Sequence, residues 1–281
     1  MLPAIVSTYM KYLKALFCCS IILTSCQSTT STADNQGSNK TEGLKKTFKP
    51  IIDGIWVEPT YIDNLSKTKS PSKSRAVLAS MVELDIDTNK ITGDSLEVGA
   101  PGIHEGTSFI VYFRHGTKET SLPANIVDYD TKTNFYELGY EKLNKDIVLV
   151  IYHFDKNKKL LGETKYTKVP KNSEGALQYM VNKTLFSGIY DASDTAGNKM
   201  KIQFRDDGLV KGVSNFKKYY VLTDFAAGPE NKLDEVCFDI QTQNQTCYAF
   251  KIITDTINLY ETPKSEEDSL RGPLKYRLIK Q

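Results

Sequence analysis

From Pro50 onward the chain is written in short runs of alternating apolar and polar residues, rich in Val, Ile, Tyr, Phe and Thr, and each run breaks at a polar turn. This period-two rhythm puts successive side chains on opposite faces, as half-buried antiparallel strands require. Three pairs of runs share one device. MVELDI–DTNK–ITGDSLEV, ANIVDY–DTKT–NFYELGY and VLVIYHF–DKNK–KLLGETKY each place an Asp at the head of the turn, where its side chain satisfies the turn backbone. MKIQFR–DDG–LVKGV repeats it with a glycine, which supplies positive φ at little cost. The expected fold class is all-β, built from hairpins.

One stretch breaks the rhythm. SEGALQYMVN, Ser173 to Asn182, reads as a helix, with Leu177, Tyr179, Met180 and Val181 supplying a short apolar face after a capping serine. It falls between two β-rich halves. With 281 residues the chain exceeds the usual size of a single core, so the expected organisation is a β module over 51–170, a helical junction over 171–183 and a second β module over 184–281.

The two halves also repeat each other at their edges. Ile52-Asp53-Gly54-Ile55-Trp56 opens the first and Phe186-Ser187-Gly188-Ile189-Tyr190 the second. Gly162-Glu163-Thr164-Lys165-Tyr166 and Gly272-Pro273-Leu274-Lys275-Tyr276 close them. A glycine beside a large aromatic at the start and a basic residue on the last strand resembles the lipocalin-like family of small antiparallel barrels. The resemblance implies two such barrels in tandem, each closed at one end by an aromatic side chain with a cation lying across it. Carried over, Trp56 is expected against Lys165, and Tyr190 against Lys275 or Arg277. Evenly spaced short strands fit a pair of β-sandwiches as well.

The N-terminus reads as an export signal. Lys11 and Lys14 precede an apolar run from Ala15 to Leu23, too short for the roughly 20 residues of a membrane-spanning helix. It ends in Leu23-Thr24-Ser25-Cys26, which resembles the lipobox of bacterial lipoproteins. That resemblance implies cleavage after residue 25 and acylation of Cys26, with an outer-membrane destination because position 27 is not Asp. The run from Met10, MKYLKALFCCSIILTSC, is already a complete signal of ordinary length. The tract 26–50 is dominated by Ser, Thr, Asn, Gly and Lys and reads as a flexible tether with a reach of roughly 25–30 Å.

Loss of the signal removes Lys11 and Lys14 and no acid, so the 36 basic residues come to balance the 34 acidic ones. No global field invites nucleic acid. The same cut leaves Cys237 and Cys247 as the two unmodified cysteines in an oxidising compartment. In EVCFDIQTQNQTCYAF a turn around Thr242 to Asn244 sets these two opposite each other on one face of a hairpin, where they can bond; two free thiols are the alternative.

Several local patterns invite sharper chemistry. Gly93-Asp94-Ser95-Leu96 spells the signature of the GDSL hydrolases, whose serine is a nucleophile. None of His104, His115 or His153 has the Asp three residues before it that such an enzyme uses, so a bend after a strand is the expectation. Asp85-Ile86-Asp87-Thr88-Asn89 has the alternating oxygens of a calcium loop, but Lys90 and Leu96 stand where Gly and Glu belong, so it reads as a hairpin turn. The histidines lack metal-site spacing. LSKTKSPSKSR, residues 65–75, reads as a basic solvated loop able to meet anionic headgroups or polysaccharide.

The sequence thus points to a non-catalytic envelope lipoprotein without metal or cofactor, held to a bilayer through Cys26. Its modules are expected to bind a small apolar ligand or an envelope partner if their interiors are hollow, and to serve as an assembly factor if they are filled. With 16 Tyr and 12 Phe, a filled interior is easily built.

Overall fold

The computed structural model describes residues 32–102, 106–170, 175–213, 216–223, 233–262 and 271–281. The signal segment, Cys26 and His104 lie outside them. Helix α1 (Thr32–Ile52) comes first. The tract expected to be a flexible tether is therefore helical from Thr32 on. Its few apolar residues, Leu44, Phe48 and Ile52, recur every fourth position and are buried in the core of the first half. One narrow stripe suffices because a barrel end supplies the other side of the contact.

The first half is a closed barrel of eight antiparallel strands in sequence order. They are β1 (Gly54–Val57), β2 (Glu83–Ile86), β3 (Ser95–Pro101), β4 (Gly106–Tyr112), β5 (Ser121–Ala124), β6 (Phe135–Leu143), β7 (Asp146–Phe154) and β8 (Leu160–Val169). β1 pairs with both β2 and β8, which closes the ring. Residues 126–129, expected to extend the strand before the DTKT turn, form a loop instead. Between β1 and β2 the chain inserts helices α2 (Pro59–Thr68) and α3 (Pro71–Ser74). The basic run 65–75 is thus largely helical, with Leu65, Ser70, Pro71 and Ser74 buried, and is not a solvated loop.

Helix α4 (Ala176–Leu185) leads into the second half, β9 (Gly188–Asp194), β10 (Lys199–Phe204), β11 (Val210–Lys211), β12 (Tyr219–Val221), β13 (Asp234–Phe238), β14 (Thr246–Ile253), β15 (Thr256–Glu261) and β16 (Leu274–Lys280). β9 pairs with β10 and with β16. The remaining seam, between β11 and β12, is spanned by a bridge between Leu209 and Lys218, with Val210 N–H donating to Lys217 O (2.9 Å) and Tyr219 N–H to Gly208 O (2.7 Å). The chain is therefore two tandem antiparallel barrels, one closed and one nearly closed, and not a pair of sandwiches.

The barrels are joined by more than a linker. Ile55, Val57 and Val169 have the parity that faces outward from the first barrel, and they share one apolar cluster with Tyr61, Ile62 and Leu65 of α2, with α4, and with the second barrel's core. Polar contacts fix the same seam. Asp234 of β13 accepts from Ser72 N–H (2.8 Å), and Glu83 of β2 accepts from Leu177 N–H (3.0 Å). Gly175 at the α4 N-terminus offers no side-chain cap, so the first half caps the helix of the second. Separately folding halves are the sequence expectation, and the structure places an apolar and polar seam between them.

Burial pushes the Glu83 carboxyl above its ordinary 4.5, against the opposing effect of the helix amides. A folded-state value above the unfolded one contributes stability that is fully present below about pH 4.5 and is lost as pH rises through the folded value. Denaturant unfolding from pH 4 to pH 7 is expected to show wild type losing stability relative to Glu83→Gln as pH rises. A pH-independent difference would remove this assignment.

Candidate functional site

Each barrel is shut at one end by the same small construction. Trp56 donates its indole N–H to Ile52 O, the last residue of α1, at 2.8 Å. Tyr190 donates its hydroxyl to Phe186 O, which terminates α4, at 2.8 Å. Both bonds run back four residues into a helix end, where carbonyls lack intrahelical partners. A lysine then lies over each ring, Lys168 Nζ 5.3 Å from the Trp56 centroid and Lys280 Nζ 6.0 Å from that of Tyr190. Each lysine stem crosses a glycine. A Cβ on Gly54 would sit 2.7 Å from Lys168 Cε, and one on Gly188 would sit 2.7 Å from Lys280 Cε. The two glycines also hold positive φ, 122° and 146°.

The aromatic half of the sequence expectation holds, and the cations are different ones. Lys165, Lys275 and Arg277 have the wrong parity. Trp56 pairs with Lys168 and Tyr190 with Lys280, so residues an odd number of positions away along β8 and β16 point to the outer face. Lys165 instead bridges Glu141 and Glu163, at 3.0 Å each, and Lys275 approaches Glu261 at 3.7 Å. The shared G-x-x-K-Y letters were misleading because Lys168 follows Tyr166 by two residues while Lys280 follows Tyr276 by four.

Among the described residues the inward-facing side chains are closely packed. Leu84, Ile86, Val98, Val111, Phe113, Leu138, Leu149 and Tyr166 of the first barrel are fully buried, as are Ile202, Phe238, Phe250 and Leu259 of the second. Phe186 plugs the second barrel, with ring centroids 5.3 Å from Phe204 and 5.1 Å from Phe250. Zero exposure means that these side chains leave no water-sized gap beside them. Cys237 and Cys247 face each other on β13 and β14 and are bonded, with Cα atoms 4.0 Å apart, in the register expected for a turn around 242–244.

Away from the closed end, the first barrel carries polar constellations. His153 Nε2 lies 2.9 Å from Asp128 Oδ2, and Tyr136 stacks on the imidazole at 4.4 Å between centroids. Asp128 also accepts from the Asp130 and Thr131 amides and from Asn134, and these bonds, the Thr131 amide foremost, hold its carboxyl down at about 2. It organises the β5–β6 loop. The GDSL motif is a turn leading into β3: Ser95 Oγ donates to Thr92 O (3.1 Å), and Asp94 is engaged by Arg114, whose hydrogen bond and charge hold its carboxyl below the usual range. Asp87 caps the turn at Asn89, while Thr88 hangs from Asp53 through two bonds of 2.9 and 3.0 Å, so the calcium-like run is a hairpin turn tied to α1. Among the described residues no three His, Cys, Asp or Glu side chains gather as metal ligands.

Three clefts among the described residues open on the outside. One of about 430 Å³ lies against the start of α2 and β8, lined by Glu58, Pro59, Thr60, Val77, Ala79 and residues 163–165. Another, about 410 Å³, follows β2, β3 and β4 past Asp85, Asp87 and Glu97. The third, about 300 Å³, lies between α4 and the 206–208 turn. No sequence motif marked the first of these. Its signal is a glutamate at a position of inward parity, next after Trp56 on that face.

No family model and no curated protein matches the sequence. None of the described helices is long and apolar enough to cross a membrane.

The closing construction makes a direct prediction. Gly188→Ala must move the Lys280 stem and hold an alanine at φ 146°, which is expected to cost about 1–3 kcal/mol. Denaturant unfolding checks this, and an unchanged midpoint would show that the lysine does not lie over this glycine.

Proposed function

We propose that this protein is a membrane-anchored, non-catalytic lipoprotein of a bacterial envelope whose tandem barrels act as a rigid interaction scaffold. The observation that carries this reading is the filled interior of both barrels. A lipocalin-like protein that carries an apolar ligand keeps it inside the barrel, and here the fully buried Leu, Ile, Val, Phe and Tyr side chains occupy that position. Recognition then falls to the outer surface. The disulfide between Cys237 and Cys247 fits a compartment outside the cytosol.

The anchor in this reading is Cys26, acylated after removal of the signal segment. Two or three acyl chains at roughly 0.8 kcal/mol per buried CH₂ hold a protein to a bilayer without help from the body. The balance of basic and acidic residues makes electrostatic adhesion a poor substitute. In this reading the helix over 32–52, about 1.5 Å per residue, forms the part of the connection next to the first barrel.

Cys26→Ala is expected to accumulate as unprocessed precursor or to become soluble, while the wild-type chain fractionates with membranes after a high-salt wash. A Cys26→Ala chain that still sediments with washed membranes would contradict the anchor.

A further inference from the structure

Two buried side-chain polar atoms among the described residues have no hydrogen-bond partner, Glu58 Oε2 and Tyr61 Oη, and both belong to the first turn of α2. Glu58 is the sharper case, because leaving a carboxylate oxygen unsatisfied away from water costs more than leaving a hydroxyl. The side chain is only 7% exposed and lines the cleft of about 430 Å³. Its other oxygen, Oε1, is occupied as the helix cap, accepting from Thr60 N–H (2.9 Å) and Thr60 Oγ1. Among the described residues no ion pair is formed by this carboxylate. Lys165, the cation in the cleft wall, is taken at 3.0 Å by Glu141 and at 3.0 Å by Glu163.

We propose that this cleft is a binding site for a small ligand bearing a primary ammonium group on a short aliphatic body, with Glu58 as the counter-ion. An ammonium is a compact donor of three hydrogen bonds and supplies what Oε2 lacks. Pro59, Val77 and Ala79 give the lining its apolar part, against which a few methylenes pack, and Thr60 and Thr164 add polar groups to it. A volume of about 430 Å³ is that of a small-molecule cleft. A divalent metal fits less well. Calcium takes six to eight oxygens and magnesium six, whereas the lining offers two carboxylates, one of them already paired with Lys165. The site stands apart from the membrane anchor and does not depend on it.

The test is an amide-resolved NMR titration of the full chain with n-butylammonium, with n-butanol as the uncharged match. Saturable shifts in the millimolar range are expected at Thr60, Val77, Ala79 and Thr164 with the amine. Glu58→Gln, which keeps an oxygen for the helix cap, is expected to weaken them by about tenfold or more. Ala79→Leu fills the cleft without touching Glu58 and is expected to abolish them, so the proposal stays decidable if the Gln variant does not fold. Equal shifts with butanol, undiminished binding to Glu58→Gln or to Ala79→Leu, or no saturable shift in the wild-type chain would each overturn it, the last leaving a site filled by water only.

Discussion

The architecture turns on how a helix end is fastened into a barrel end. In both halves an aromatic side chain on the first strand reaches back to the carbonyl four residues earlier, and a lysine from the last strand crosses a glycine to cover it. The terms differ in size. Burying a Trp- or Tyr-sized side chain, 150–250 Å² at about 25 cal/mol per Å², contributes roughly 4–6 kcal/mol. The hydrogen bond and the cation–π contact each contribute about 1 kcal/mol. Burial therefore holds the ring inside, while the smaller directional contacts choose its orientation and tie together the helix, the first strand and the last. In the second barrel Lys280 adds a bond of its own to Ser187 O at 2.7 Å, which draws the C-terminal strand onto the end of α4.

With the ends fastened and the described inward side chains packed, the proposed recognition falls to the outside and to the seam between barrels. The seam is unlike a flexible linker. It combines apolar burial of α2 and α4 with two polar ties, Asp234 to Ser72 and Glu83 to Leu177, each of which crosses from one half to the other. Such ties suit a body meant to hold one shape, because a buried helix start without a partner would cost more than the bond itself contributes. The cleft beside α2 sits next to that seam, so its walls come from elements already immobilised for structural reasons.

Much of the fold was legible because it is local. The Asp-headed turns gave the β7–β8 and β10–β11 hairpins, and the glycine–aromatic pair located the start of both barrels. The disulfide register followed from the spacing of Val236, Phe238, Tyr248 and Phe250 about a polar centre. What escaped was set by long-range pairing. Lys168 and Lys280 can be found only once β1 is paired with β8 and β9 with β16, since parity along the last strand decides which lysine faces in. The helical character of 32–52 escaped because its few apolar residues in a polar tract look too sparse until a barrel end is there to receive them. The insertion 58–82 carries no hairpin signal, and its role as the seam depends on residues more than 100 positions away.

Trp56 is the single tryptophan of the chain and sits 1% exposed at the fastened end of the first barrel, so its fluorescence reports directly on the central claim. Acrylamide quenching followed along a urea titration is the most direct measurement. Blue-shifted emission nearly immune to quencher is expected until the β-sheet signal in circular dichroism is lost, both changing in one transition. A Trp56 that becomes quenchable while the sheet signal is still intact would mean that α1 and Lys168 do not hold the barrel end, and would contradict the account.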